Sequence, residues 1–175
     1  MDAASVHEAA VTGNGATVER TSDRELVVTR TVGGPPRLVF EAWTKPELME
    51  RWWTPKSFPI TLQSCEMDVR VGGSYRLVFG YEGSTFEFFG RYVEVVPPSR
   101  LVWTNDEGED AATITTVTFE DVGGRTRLVV HDLYPSGDAL DAAIASGSTS
   151  GMPESLAQLD ELLGTLGTSP RSSGG

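Results

Sequence analysis

Between Thr61 and Leu133 the sequence is almost entirely strand-like, and its interruptions are short. Gly72-Gly73, Glu82-Gly83, Pro97-Pro98, Asp106 to Asp110 and Gly123-Gly124 punctuate it. These signals leave five runs joined by tight turns, the pattern of an antiparallel meander. Within the runs side chains alternate in character. Tyr75, Leu77 and Phe79 fall on one face, as do Leu101 with Trp103, Val117 with Phe119, and Leu128 with Val130. Successive strand residues point to opposite sides, so one face of the sheet is apolar and aromatic and the other mostly polar or β-branched. A sheet with one apolar face needs a cover.

The C-terminal segment provides it. Met152, Leu156, Leu159, Leu163 and Leu166 recur at helical spacing and form one apolar stripe. Ser150 or Gly151 stands at the cap position, with Pro153 and Glu154 in the first turn. Asp138 to Ala145 reads as a shorter helix before it. At the other end, Glu25 to Val32 is β-branched and reads as a first strand. Pro35-Pro36 opens a helix there, and Lys45-Pro46 breaks it and begins another through Trp52. The order β-αα-β5-α predicts an α+β fold in which one curved antiparallel sheet wraps around a long C-terminal helix.

The domain expected from this pattern runs from 24 to 166. Residues 1–23 lack a sustained apolar period and read as a disordered tail, with a marginal helical turn over Val6 to Val11. Residues 167–175 (GTSPRSSGG) read as a flexible tail. The chain has 175 residues, 25 Asp+Glu against 14 Lys+Arg and a net charge of −11, which argues against nucleic acid and anionic membrane surfaces as partners. No apolar run is long enough for a membrane span, and no secretory signal pattern opens the chain, so a cytoplasmic location is expected. A single cysteine, Cys65, leaves no internal disulfide and no CxxC metal site.

Several segments together resemble a known family. They are Pro35 to Trp53 (PPRLVFEAWTKPELMERWW), Asp68 to Tyr75 (DVRVGGSY), Gly90 to Trp103 (GRYVEVVPPSRLVW) and Gly151 to Leu163 (GMPESLAQLDELL). In this order and spacing the chain is similar to the START-like (SRPBCC) superfamily, which includes birch-pollen-allergen-like proteins and polyketide cyclases. Within it, the chain resembles the branch named after the activator of the heat-shock-protein-90 ATPase. The resemblance implies a helix-grip fold with a cavity between the concave sheet face and the C-terminal helix.

Candidate lining residues for that cavity are Trp52, Trp53, Phe58, Tyr75, Leu77, Phe79, Phe86, Phe88, Tyr92, Trp103, Met152, Leu156 and Leu159. The polar residues expected on the same face are more informative. If Leu101 and Trp103 point inward, period two sends Asn105 inward; if Leu128 and Val130 do, so does Asp132, while His131 points away. Tyr92 offers a phenol at the wall. A buried carboxylate or amide needs a partner, so Asp132 and Asn105 either pair with each other, pair with backbone, or address a ligand.

Ligand-binding residues are therefore expected among Trp52, Trp53, Tyr75, Leu77, Phe79, Phe88, Tyr92, Trp103, Asn105, Asp132, Met152 and Leu156. The function expected first is that of a binding protein for a hydrophobic or amphipathic small molecule, with no metal and no cofactor. An enzyme of cyclase or hydrolase type using the same cavity is the alternative, with Asp132 or Tyr92 as acid–base groups. A chaperone-associated interaction protein is a further one. Adjacent His131 and Asp132 face opposite ways and would not share a reacting atom. No GxSxG, HExxH or phosphate-binding glycine loop is present. No Lys or Arg lies between Arg127 and Arg171, so the acidic residues there read as a solvated helix face or as a docking surface for a basic partner protein. A monomer and a homodimer both remain open.

Overall fold

The computed structural model describes residues 8–11, 15–106, 112–147, 149 and 151–174, with residues 8–11 and 167–174 described as backbone only. Nine described strands form one antiparallel sheet in the order β1-β2-β3-β9-β8-β7-β6-β5-β4. They are β1 (Glu8–Val11), β2 (Thr17–Ser22), β3 (Glu25–Val32), β4 (Thr61–Met67), β5 (Ser74–Tyr81), β6 (Ser84–Val96), β7 (Arg100–Asn105), β8 (Thr113–Val122) and β9 (Arg125–Leu133). The helices are α1 (Pro36–Thr44), α2 (Pro46–Trp52), α3 (Gly137–Ser146) and α4 (Gly151–Gly174). This is the α+β helix-grip arrangement expected: a meander closed by β3 pairing with β9, with α4 against its inner face.

Three expectations are corrected. The meander between Thr61 and Leu133 contains six strands, because five turn signals separate six segments and β4 stands alone before the Gly72-Gly73 turn. The N-terminal stretch is not all tail. Thr17–Ser22 pairs with β3, matching Val18 with Val28 and Thr17 with Thr29, and Glu8–Val11 is a strand and not a helical turn. The free edge of β3 attracts this segment although Val18 is its one apolar residue. At the other end, α4 continues helical to Gly174, through the stretch read as a tail.

The core lies between α1, α2, α4 and the β3-β9-β8-β7 part of the sheet. Trp43, Trp52, Leu101, Val117, Leu128, Leu156, Leu159 and Leu163 are fully buried there. The two prolines do what their position suggests: each starts a helix where a missing N–H costs nothing. Trp43 then packs edge-to-face on Trp52 and Trp53, with ring centres 4.8 and 5.8 Å away. A second, smaller cluster of Tyr75, Leu77, Phe79 and Tyr92 sits on the β5–β6 arm. The space between the two clusters is the site.

Candidate functional site

A cavity of about 500 Å³ opens between the sheet, α3, the start of α4 and the segment after α2. Its walls are mainly apolar: Trp53, Phe58, Tyr75, Leu77, Phe79, Phe86, Phe88, Tyr92, Trp103 and Met152 all border it. Period two explains the sheet contribution, since each of these strand residues alternates with an outward neighbour. Tyr75, Tyr92 and Trp103 form a mutual aromatic group with ring centres 5.8 to 6.4 Å apart. Phe79, Phe86 and Phe88 form another at 5.4 to 5.7 Å. Phe86 and Phe88 remain 37% and 40% exposed, which places them at the open end.

Three of the expected lining residues lie elsewhere. Trp52 is fully buried in the main core, where its indole N–H donates to Ala42 O at 3.0 Å. Leu156, like Leu159, is fully buried on the face of α4 that packs on the core. Helical spacing puts Met152 and Leu156 on one stripe, but only the first turn of α4 reaches the cavity. The sequence reading missed Leu26, Val28, Met49, Thr113, Thr115 and Tyr134. Thr113 and Thr115 were within reach of it, because they precede Val117 at intervals of two.

The polar residues on this face form one connected row. Tyr75 OH donates within reach of Thr104 O at 2.8 Å and Asn105 Oδ1 at 3.0 Å. Asn105 Nδ2 donates to Thr113 O and to Thr115 Oγ1, both at 3.0 Å. Thr115 Oγ1 donates to Asp132 Oδ1 at 2.6 Å. Asn105 and Asp132 thus share Thr115 instead of pairing directly. Asp132 borders the cavity and keeps some surface there, yet protein crowds its carboxyl. Burial pushes its pKa up, opposed by the Thr115 hydrogen bond and weakly by His131.

Burial also holds the Tyr92 phenol well above the usual tyrosine range, so it stays un-ionised near neutrality. Tyr134 is pushed up to about 12 by burial and by Asp132. His131 faces the other side, as expected, with Nε2 2.9 Å from Glu25 Oε2. Cys65 lies outside the cavity beside Met67, and burial raises its thiol to about 11, the opposite of an activated nucleophile. No group of His, Cys, Asp and Glu among the described residues could hold a metal ion. No described helix is long and apolar enough to cross a membrane.

The first turns of α4 hold the cavity wall that follows α2. Gln158 Nε2 donates to Trp52 O and Thr54 O, and its Oε1 accepts from Lys56 N, all at 2.8 Å. Ser155 Oγ donates to Trp53 O at 2.6 Å, and the Glu154 carboxylate accepts from Ser57 N and Ser57 Oγ. The acidic C-terminal segment is therefore only partly a solvated face. Asp160 likewise meets Arg30 at 3.1 Å and accepts from Gly33 N at 2.8 Å, and Asp141 meets Arg20 at 2.8 Å.

A curved sheet gripping a C-terminal helix, with an aromatic cavity and one buried polar row between them, defines the helix-grip class. Within that class, the chain belongs to the Activator of Hsp90 ATPase homolog 1-like family, whose model matches residues 34–164. Solved structures agree in fold. A protein from Rhodobacter sphaeroides is 28% identical with a TM-score of 0.77, covering 86% of this chain and 99% of that one. A protein from Nitrosomonas europaea is 26% identical with a TM-score of 0.73, covering 82% and 96%. One from Chromobacterium violaceum is 28% identical with a TM-score of 0.69, covering 80% and 96%. No curated protein matches the chain.

Proposed function

We propose that this protein binds a hydrophobic or amphipathic small molecule in the cavity between its sheet and C-terminal helix. The observation that carries the reading is the cavity itself: about 500 Å³, walled by aromatic side chains, with a few polar groups collected along one line. That size and composition match sites that enclose small ligands, where apolar walls give affinity and a few polar atoms give orientation. Trp103, Tyr75, Phe88 and Met152 provide apolar contact in this reading, and Asn105 and Asp132 the polar end.

Titration with diphenylhexatriene, a neutral apolar dye, tests it. Its fluorescence should rise saturably with the native protein. Ala143 borders the cavity from α3 and is only half-buried, so Ala143→Trp should fill the space while leaving the melting temperature close to wild type. Loss of dye binding in that variant supports the reading. No saturable binding to the wild type, or binding indifferent to Ala143→Trp, contradicts it.

An acid–base enzyme is the second reading, and the raised pKa of Asp132 favours it, because such a carboxyl can hold or release a proton closer to neutrality. A binding protein returns its ligand chemically unchanged after incubation. Conversion of the bound molecule would favour the enzyme.

A further inference from the structure

Resting on the binding reading above, we infer that the cavity selects amphiphiles whose polar end is a protonated amine, seated between the Asp132 carboxylate and the Trp103 indole. Sheet register places these groups together. Tyr92 stands opposite Trp103, Trp103 opposite Thr115, Thr115 opposite Asp132, and Asp132 opposite Leu26. Directly opposite residues share a face, so all five lie on one rung of the inner surface. Strands are spaced by about 4.8 Å, which puts Trp103 and Asp132 about 10 Å apart with only Thr115 between them. A head group resting over Thr115 reaches both.

The direction of the hydrogen bonds sets the chemistry of that point. Asn105 Nδ2 commits its two protons to Thr113 O and Thr115 Oγ1, and Thr115 commits its one to Asp132 Oδ1. The row therefore ends at Asp132, giving one carboxyl oxygen a donor but bringing no positive charge. The other oxygen, Oδ2, has no side-chain hydrogen bond and no ion pair among the described residues. No Lys, Arg or His is among the described residues lining the cavity, and Asp132 is the one carboxyl there.

A carboxylate enclosed by apolar walls without a cation is costly, and a ligand ammonium offsets that cost with a charge-assisted hydrogen bond. The indole and phenol faces of Trp103 and Tyr92 favour a cation further, since a ring attracts positive charge within about 6 Å of its centre. A carboxylate-headed ligand brings like charges together and has no basic residue to meet. An alcohol gains a hydrogen bond without the ion pair. The alkyl body then extends along Leu77 and Phe79 toward the exposed Phe86 and Phe88.

Calorimetric titration at neutral pH with decylamine, decan-1-ol and decanoate, each below its micelle threshold, tests the inference with one chain length and three head groups. Decylamine should bind about tenfold tighter than decan-1-ol, and decanoate weakest. In Asp132→Asn the ratio of amine to alcohol affinity should fall to about one. Decan-1-ol or decanoate binding as tightly as decylamine, or an amine preference that survives Asp132→Asn, overturns the inference and leaves the binding reading standing. Binding of none of the three overturns the binding reading as well. If the variant does not fold, the wild-type ranking decides alone.

Discussion

At Asp132 burial couples charge state to stability. Burial raises its carboxyl pKa above the ordinary value of 3.8, and the Thr115 hydroxyl offsets this only in part. A carboxyl with a raised native pKa holds its proton longer in the folded state. Its stabilising contribution is in place below the unfolded pKa and is lost as pH rises through the folded one. Asp132→Asn removes that loss while keeping an acceptor for Thr115. The variant should therefore melt higher than wild type at neutral pH, with the difference closing as pH falls toward 3.8. Equal or lower melting at neutral pH would contradict the sign. Gly90 is a second sensitive position. A Cβ there would lie 1.8 Å from Thr104 O and 3.0 Å from the Tyr75 ring, against the carbonyl that Tyr75 OH reaches. Gly90→Ala should cost at least about 1–3 kcal/mol in urea unfolding. The inward direction of Asn105 and Asp132 was readable from period two alone. Thr115, which joins them, follows the same period but looks like ordinary strand composition beside its β-branched neighbours.

Among the elements, α4 contributes more than its apolar stripe. The leucine spacing revealed the buried face, but Gln158 sits beside Leu159 and looks polar and therefore outward. Instead it holds two carbonyls and one N–H of residues 52–56. Hydropathy patterns cannot show this, since the partner is backbone. Gln158→Leu leaves those groups unpaired and should destabilise by roughly 2–4 kcal/mol. Amides of residues 53–58 should then exchange faster than those of β8 and β9; uniform exchange across the chain would contradict a local clamp. The same contrast explains β2. Its register with β3 comes from the open edge of a neighbouring strand and not from its own composition, so no local signal announces it. The meander, by contrast, was announced by its turns, although five runs were expected where the same five turns separate six strands.

At the scale of the whole molecule, the −11 net charge and the apolar cavity occupy different regions but act in the same direction. The acidic exterior attracts cations and repels anions over several ångströms, and the cavity holds a carboxyl and no base among its described lining residues. The two aromatic groups divide the interior: the Trp43–Trp52 core holds the sheet to the helices, while the β5–β6 arm carries the exposed Phe86 and Phe88. The fold was readable from alternation and helical spacing, and the cavity was implied by the family resemblance; which lining residues face space and which face core was not readable, because Trp52 and Leu156 carry the same apolar signature as Trp53 and Met152. The most direct measurement is a heteronuclear NMR titration with decan-1-ol, following every backbone amide. Ligand in the cavity predicts saturable shifts concentrated at Trp53, Leu77, Trp103, Thr115, Asp132 and Met152, with the Leu101–Val117–Leu128 core unmoved. Shifts scattered over the outer surface, or none, would contradict it.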